Sequence, residues 1–344
     1  MNGLILFVGI IFVLWLGRPI FIPVVIAAFL WYLINAISAY YRKAMPFRKK
    51  DGKVPHIVFD WLSGALSLAT FAGLTYLFVT QVRPMFSELM ARMPEIQSKL
   101  TLLTDYITGY FGGSLSPGAV PNITSIAAGI GSSVTGLAAT LGMVLVYIFF
   151  MFIEQSTFHK KFAALFPNKT QSKKMRYIFA SIDENMKKYM FMKTFISAVT
   201  ALVSYFWLHF LGLEFAGVWA FIVFIVSYIP TIGAIVACSL PILYSLVTAD
   251  SMNMPILVAV GLIGLQVVFG NILEPKLTGK TLNLSTLAIL INLVFWGMLW
   301  GVAGMFFSVP LLVATFIITA QFDSTRWIAV LLSANGEIPD KRDE

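Results

Sequence analysis

Charged side chains are scarce in this sequence. Only 12% of its 344 residues are Asp, Glu, Lys or Arg, whereas 58% are hydrophobic. Soluble domains carry about 25% charged residues, so an ordinary soluble protein is excluded and a helical integral membrane protein is indicated. The apolar runs are continuous and do not alternate with polar residues. That pattern argues against an outer-membrane barrel.

Cysteine and histidine are scarce too. The single cysteine, Cys238, has no partner for an internal disulfide. The three histidines, His56, His159 and His209, lie far apart and lack the spacing of a zinc site. The sequence also lacks a nucleophile with a matching base and a phosphate-binding glycine loop. We therefore expect no enzyme activity, no cofactor and no bound metal.

The positive charges are concentrated in two stretches. Residues 40–56 contain six Lys or Arg against one Asp, and residues 154–193 contain nine against three acids. Basic residues beside membrane segments mark the cytoplasmic side. The net charge of +8 is therefore read as a sign of topology, not of nucleic-acid binding. On this reading both termini are cytoplasmic.

We expect an all-α, polytopic membrane fold with about eight membrane segments, two of them broken or re-entrant helical hairpins. The expected parts, in chain order, are three transmembrane helices (1–80), an external amphipathic helix with a Gly/Ser/Pro loop (81–133), a fourth span with a basic cytoplasmic interfacial helix (134–193), a transport core with two opposed broken-helix hairpins (194–322) and a polar tail (323–344).

The external segment carries a heptad pattern. Apolar residues follow one another at alternating steps of four and three: Val82, Phe86, Leu89, Met93, Ile96, Leu100, Leu103 and Ile107. This spacing predicts a helix with one apolar seam, although Pro94 argues against a single straight helix. The seam packs either on its own bundle or on another subunit, since a heptad pattern does not name its partner.

Two long apolar stretches contain helix breaks. Residues 215–247 are interrupted by Pro230 and Gly233, and residues 284–319 by Gly297, Gly301 and Gly304. On the charge-based topology the first hairpin enters from outside and the second from inside, as in the inverted repeats of secondary transporters. The segments SLPIL and SVPLL that follow the two breaks add weak support for such a repeat.

The stretch around Glu274 is the main site candidate. Proline disfavours helix at the preceding residue, so Pro275 is expected to end a helix at Glu274, with Lys276 beside it. Ionisable residues between apolar helices are typical of a transport pathway, which makes Glu274 a candidate inner gate or coupling residue. The alternative is that Glu274 lies at the cytoplasmic interface and only pairs with Lys276 or Lys280.

Three further residues are candidates for the pathway. Asn271 precedes Glu274 by three positions and would share its helix face. It would ligate a hydroxyl-rich solute or sodium, or else form a hydrogen bond between helices. Tyr228 and Thr231 flank the tip of the first hairpin. They would offer hydroxyls to a cavity, or simply close the helix break.

Several motifs in the C-terminal half resemble the autoinducer-2 exporter family. They are Tyr228-Ile229-Pro230-x-Ile232-Gly233, Gly270-Asn271-Ile272-Leu273-Glu274-Pro275-Lys276, Leu284-Ser285-Thr286-Leu287, Phe295-Trp296-Gly297 and Ser308-Val309-Pro310. The resemblance implies a bacterial inner-membrane transporter that forms a homo-oligomer, with a pentamer as one form. It also implies either export of the quorum-sensing furanone signal or sodium/proton antiport, and the motifs do not separate the two.

The leading hypothesis is a secondary transporter that exports a small polar solute, autoinducer-2 or a related molecule, by alternating access. Its partners would be that solute or an ion, the lipid bilayer and further copies of the chain, but not nucleic acid. A passive oligomeric channel built around the heptad segment and a non-transporting membrane scaffold are the other candidates.

Overall fold

The computed structural model describes residues 2–44, 69, 73, 76, 80, 84–85, 87–102, 104–105, 108–109, 142–154, 157, 161, 164–166, 168–249, 251–278 and 283–338. These residues are helical almost throughout, and within them β pairing is limited to one isolated bridge between Leu284 and Ser333. The all-α fold class is therefore confirmed.

The helices are numbered in chain order. They are α1 (Asn2–Leu16), α2 (Arg18–Ala44), α3 (residues 87–102), α4 (Gly142–Glu154), α5 (Lys169–Phe210), α6 (Ala216–Val226), α7 (Ile232–Thr248), α8 (Asn253–Gln266), a π-helical segment (Val267–Leu273), α9 (Glu274–Thr278), α10 (Thr286–Ala320) and α11 (Arg326–Leu332).

Four helical stretches in the described part of the chain are long and apolar enough to cross a membrane: Arg18–Asn35, Gln171–Phe210, Asn253–Lys276 and Thr286–Ala320. Three shorter apolar helices, α4, α6 and α7, accompany them. The chain is thus a multi-pass membrane protein. The predicted total of about eight segments stays a prediction, since most of the expected third span and the loop at 111–133 lie outside the described residues.

The chain divides into two compact units, and α5 contributes to both. Unit 1 comprises Met1–Phe71, Leu141–Phe195 and Glu274–Glu344. In it α2 packs on α4, and α5 packs on α10. The buried residues of these two contacts are Ala27, Ile34, Val144 and Ile148 for the first, and Tyr189, Met190, Val309, Val313 and Ile317 for the second.

Unit 2 comprises Ala72–Thr140 and Ile196–Leu273. Its core joins α3 to the end of α5 and to α6, α7 and α8. The buried members are Leu89, Ile96, Leu208, Leu213, Phe215, Ala216, Val218, Trp219, Tyr244, Val247, Val258 and Leu262.

The described heptad positions of α3 pack inside this core. Leu89 and Ile96 are buried in it, and Met93 and Leu100 pack against it. The helix continues through Pro94. The sequence left open whether the seam packs on its own bundle or on another subunit. For these four positions the structure shows packing on the chain's own bundle. The other heptad positions, Val82, Phe86, Leu103 and Ile107, lie outside the described residues.

Helices α6 and α7 form a hairpin in unit 2. The helix stops after Val226 and restarts at Ile232. Gly233 lies against the other arm, because a Cβ placed there would collide with the carbonyl oxygen of Val226. This close approach requires glycine.

Helix α10 is a second hairpin, in unit 1. Its backbone leaves the helical region at Gly301, where φ is 63° and ψ is −141°, a conformation that essentially only glycine adopts. The arms then run antiparallel, since Asn292 Nδ2 donates a hydrogen bond of 2.6 Å to the carbonyl oxygen of Ser308. A Cβ on Gly304 would collide with the carbonyl oxygen of Trp296. Both hairpins were predicted from their glycines and prolines, but the expected break at Gly297 is wrong, because the helix runs through Gly297 and leaves helical geometry at Gly301.

Candidate functional site

A buried ion pair in unit 1 joins Lys193 of α5 to Glu274 of α9. The distance from Lys193 Nζ to Glu274 Oε1 is 2.5 Å, and the side chains are 7% and 27% exposed, respectively. Lys193 lies in the candidate membrane-spanning helix Gln171–Phe210, directly before its apolar run 194–211. A buried ammonium group without a counter-charge is strongly unfavourable, so the Glu274 carboxylate is what stabilises Lys193 at this position.

The structure pairs Glu274 with a lysine that the sequence did not suggest. Lys276 is exposed, and Lys280 lies outside the described residues. Lys193 is 81 positions away from Glu274, so no local pattern links the two. The sequence contains one indication that Lys193 is buried. It is the last basic residue before the apolar run 194–211, and a charge at the edge of such a run is the one most easily buried in the membrane.

The expectation that Pro275 ends a helix is wrong. The helix from Asn253 runs on to Lys276 through Glu274 and Pro275. Immediately before them, Val267–Leu273 is π-helical, and the wider turn changes the backbone pairing that a proline would otherwise disrupt. Such π-helical turns are frequent at functional sites.

Asn271 belongs to this π-helical segment, and its side chain is exposed. The role of Asn271 as a ligand therefore stays a prediction. Lys276 is likewise exposed and takes no part in the pair between Lys193 and Glu274.

The turn of the first hairpin contains Tyr228, Pro230 and Thr231. Tyr228 is buried, and its ring packs edge-on against Phe224 with 5.8 Å between ring centroids. Thr231 is exposed and has a φ of 61° and a ψ of −60°. The Ile232 amide donates to the carbonyl oxygen of Pro230 at 2.6 Å, so Thr231 is the central residue of a strained γ-turn.

The second hairpin is held by an amide that the sequence analysis did not single out. Besides its bond to Ser308, Asn292 accepts a hydrogen bond of 3.1 Å from Trp296 Nε1 through Oδ1. Gly297 lies opposite Met305, next to this contact. A lone amide within the apolar run 284–319 was the available signal.

The buried face of α5 carries hydroxyl groups in unit 2. Ser197, Thr200 and Ser204 are 1%, 3% and 1% exposed, and their spacing of three and four positions places them on one helix face. Thr200 Oγ1 donates to the carbonyl oxygen of Ile196 at 2.8 Å. Ser197 Oγ and Ser204 Oγ have no hydrogen-bond partner among the described residues. Buried hydroxyls usually have one.

A further polar network in unit 2 centres on Glu214, between α5 and α6. Its Oε2 accepts hydrogen bonds from Arg92 Nη1 at 2.8 Å and from Tyr244 Oη at 2.9 Å. In the part of the chain that the structure describes, no cluster of His, Cys, Asp and Glu is arranged to hold a metal ion.

Comparison with known proteins shows which family this architecture belongs to. The model of the AI-2E family transporter matches residues 4–324. AI-2 transport protein TqsA of Escherichia coli (strain K12) is 37% identical over 195 residues, which are 57% of this chain and 56% of TqsA. This alignment thus spans only about half the length of TqsA.

A relative that aligns over more of the chain is a "Putative transport protein" of Haemophilus influenzae, 28% identical over 338 residues, or 94% of this chain and 92% of the relative. A protein of the same name from Borreliella burgdorferi is 30% identical over 200 residues, 57% of this chain and 54% of its own length. With a family model that matches nearly the whole sequence, the chain belongs to the AI-2E family of transporters.

Proposed function

We propose that the protein is a secondary transporter of the bacterial inner membrane that exports a small polar solute by alternating access. The solute that we favour is autoinducer-2 or a related molecule, because TqsA is named as an AI-2 transport protein. The observation that carries the proposal is the ion pair between Lys193 and Glu274, which is largely buried at the point where the apolar run of α5 begins. Ionisable residues in such positions mark transport pathways and proton relays.

The pair provides a simple coupling step. Glu274 remains 27% exposed, so a proton can reach its carboxylate. Protonation neutralises Glu274 and leaves the buried Lys193 ammonium without a counter-charge. A conformation in which Lys193 reaches water is then favoured, and this difference in free energy links proton uptake to the conformational change.

The hydroxyls of α5 supply a means of binding a polar solute. Ser197 Oγ and Ser204 Oγ lack hydrogen-bond partners within the described residues, so both can donate to a solute once a conformational change exposes this face of α5. A hydroxylated molecule would satisfy them and would replace part of its lost hydration.

Sodium/proton antiport is the second candidate, and the Glu274 carboxylate favours it as well, since a carboxylate binds sodium or a proton. A passive channel is less favoured. That hypothesis needed the heptad seam for an oligomeric pore, whereas Leu89 and Ile96 are buried in the core of unit 2. Homo-oligomerisation stays a prediction from the resemblance.

The test is a flux assay in proteoliposomes that compares autoinducer-2, sodium and a neutral polar solute, each with and without a pH gradient. We expect autoinducer-2 flux that the gradient accelerates, and a loss of about tenfold or more in Glu274→Gln. Lys187→Gln is the matched control. It removes a cation from an exposed ion pair on the same helix, where Lys187 Nζ lies 2.6 Å from Asp183 Oδ2, and should leave flux within about twofold.

The outcomes separate the candidates. Gradient-driven sodium flux without autoinducer-2 flux would identify an antiporter. Flux that ignores the gradient in the unmodified protein would identify a channel. If Glu274→Gln transports like the unmodified protein at every pH, Glu274 is not the coupling residue.

A further inference from the structure

Unit 2 contains a polar pocket that the sequence analysis did not predict. Its volume is about 480 Å³, and its walls come from α3, from the segment between α5 and α6, from the end of α7 and from the start of α8. This volume lies in the range of small-molecule sites and far exceeds what a single ion needs. All of these wall segments lie at the same end of α5, α7 and α8.

The polar wall of the pocket is already organised by hydrogen bonds. Arg92 is held by two carboxylates, since Nη1 donates to Glu214 at 2.8 Å and Nη2 donates to Glu88 at 2.9 Å. The nearby Glu214 carboxylate raises the pKa of Arg92, so the guanidinium stays charged. Tyr244 Oη donates to the same Glu214 oxygen at 2.9 Å.

The wall contains a second ion pair. Lys99 Nζ lies 3.0 Å from Glu95 Oε1, and both residues line the pocket. Among the lining residues Arg92 and Lys99 balance Glu95 and Glu214, while the third carboxylate, Glu88, pairs with Arg92 from outside the lining. A charged ligand would therefore meet a repelling group beside each attracting one, and it would lose its hydration as well.

The remaining wall favours hydroxyl groups on a carbon skeleton. Thr248 and Ser251 add hydroxyls, while Ile96, Leu213 and Met254 add apolar surface. Fixed carboxylate acceptors, guanidinium and ammonium donors and an apolar patch together suit a compact polyhydroxylated molecule, whose hydroxyls both donate and accept.

We propose that this pocket binds a small, neutral, polyhydroxylated solute, such as a sugar-like molecule. The charge-based topology predicts that this end of unit 2 faces outside, so in an exporter the pocket is a release site. That role rests on the proposed function, whereas the binding itself does not.

The experiment blocks the pocket with a substitution at its rim and leaves the buried core of unit 2 unchanged. Ser251 is exposed and lines the pocket, so Ser251→Trp fills it from the rim. Met252→Trp is the matched control, because Met252 is 65% exposed and adjacent in sequence but not part of the lining. Binding of radiolabelled D-ribose to the purified full-length protein in detergent is measured for the unmodified protein and both variants, with D-ribonate as an anionic competitor.

We expect Ser251→Trp to weaken ribose binding by about tenfold or more, Met252→Trp to leave it within about twofold, and ribonate to compete at least about tenfold less well than unlabelled ribose. No ribose binding by the unmodified protein, equal binding by the two variants, or stronger competition by ribonate would each overturn the proposal.

Autoinducer-2 flux by the same three proteins separates this proposal from the proposed function. If the unmodified protein binds ribose but shows no flux, and Ser251→Trp removes the binding, the pocket is supported and the transporter is contradicted. Flux that is intact in the unmodified protein, with equal ribose binding by the two variants, supports the transporter and overturns the pocket.

Discussion

At the scale of single residues, Thr231 combines a β-branched side chain with a backbone that rarely accepts one. Its φ of 61° and ψ of −60° belong to a γ-turn closed by the 2.6 Å hydrogen bond from Ile232 to Pro230. Strain of this kind costs about 1–3 kcal/mol and persists where the surrounding structure or the function requires it. The tip of the first hairpin is therefore a place where a conformational change would release energy.

Replacing Thr231 with glycine should release that strain. We expect Thr231→Gly to stabilise the protein by about 1 kcal/mol, because glycine adopts positive φ without a Cβ clash. A thermal unfolding scan in detergent measures the change. Thr231→Ala is the matched control, since it loses the same hydroxyl but keeps a Cβ, and it should give little or no gain. Equal stabilities for the two variants would show that the turn is not strained.

At the scale of helices, α3 belongs to the core of unit 2. Ile96 is 5% exposed and packs among residues of its own chain. Truncating a buried isoleucine to alanine costs about 2–5 kcal/mol. Ile96→Ala should therefore lower the unfolding temperature while leaving the oligomeric mass unchanged, as measured by native mass spectrometry in detergent. Leu102→Ala, at a position of the same helix that is 67% exposed, is the control and should change neither.

The opposite result would place the seam elsewhere. If Ile96→Ala reduced the oligomeric mass at an unchanged unfolding temperature, α3 would pack between subunits in the membrane. An oligomer that survives Ile96→Ala must be held by other faces of the chain.

The sequence predicted the helix breaks because their causes are local. Pro230 and Gly233 punctuate one apolar run, and Gly301 and Gly304 the other, so the breaks can be read within a few residues of the chain. Pro275 shows the limit of that reasoning. Whether a proline ends a helix depends on the turn before it, and the π-helical geometry of Val267–Leu273 has no recognised sequence pattern.

The partners of the charged residues were not predictable in the same way. Lys193 and Glu274 are separated by 81 positions, and Arg92 and Glu214 by 122. Each of the four was visible as a charge near apolar sequence, but pairing at such distances follows from tertiary packing alone. The sequence located Glu274 as a candidate, and the structure supplied its counter-charge.

At the scale of the whole molecule, each unit contains one helical hairpin of similar construction. In both, a glycine lies against a carbonyl oxygen of the opposite arm: Gly233 against Val226 and Gly304 against Trp296. In both, the second arm contains a buried proline, Pro241 or Pro310. These shared features extend the weak sequence similarity of the two segments and strengthen the proposal of an internal repeat.

Exchanging the two charges of the buried pair distinguishes coupling from simple stabilisation. Lys193→Glu alone places two carboxylates together and should destabilise the protein by about 3 kcal/mol or more. The double variant Lys193→Glu with Glu274→Lys restores opposite charges, so its unfolding temperature should recover. Its acid, however, then lies on α5 instead of α9. We expect the pH-gradient dependence of autoinducer-2 flux in proteoliposomes to stay lost.

Two further variants complete this test. Exchanging an exposed pair, Lys161→Glu with Glu154→Lys, should leave stability and flux unchanged because exposed pairs contribute only about 0–1 kcal/mol. If the buried exchange fails to fold, Lys193→Met with Glu274→Leu replaces the pair by apolar groups, which are often tolerated at such sites. This variant should fold and lack gradient-dependent flux. Full recovery of coupled transport in either buried double variant would make the pair a structural contact and remove Glu274 from the mechanism.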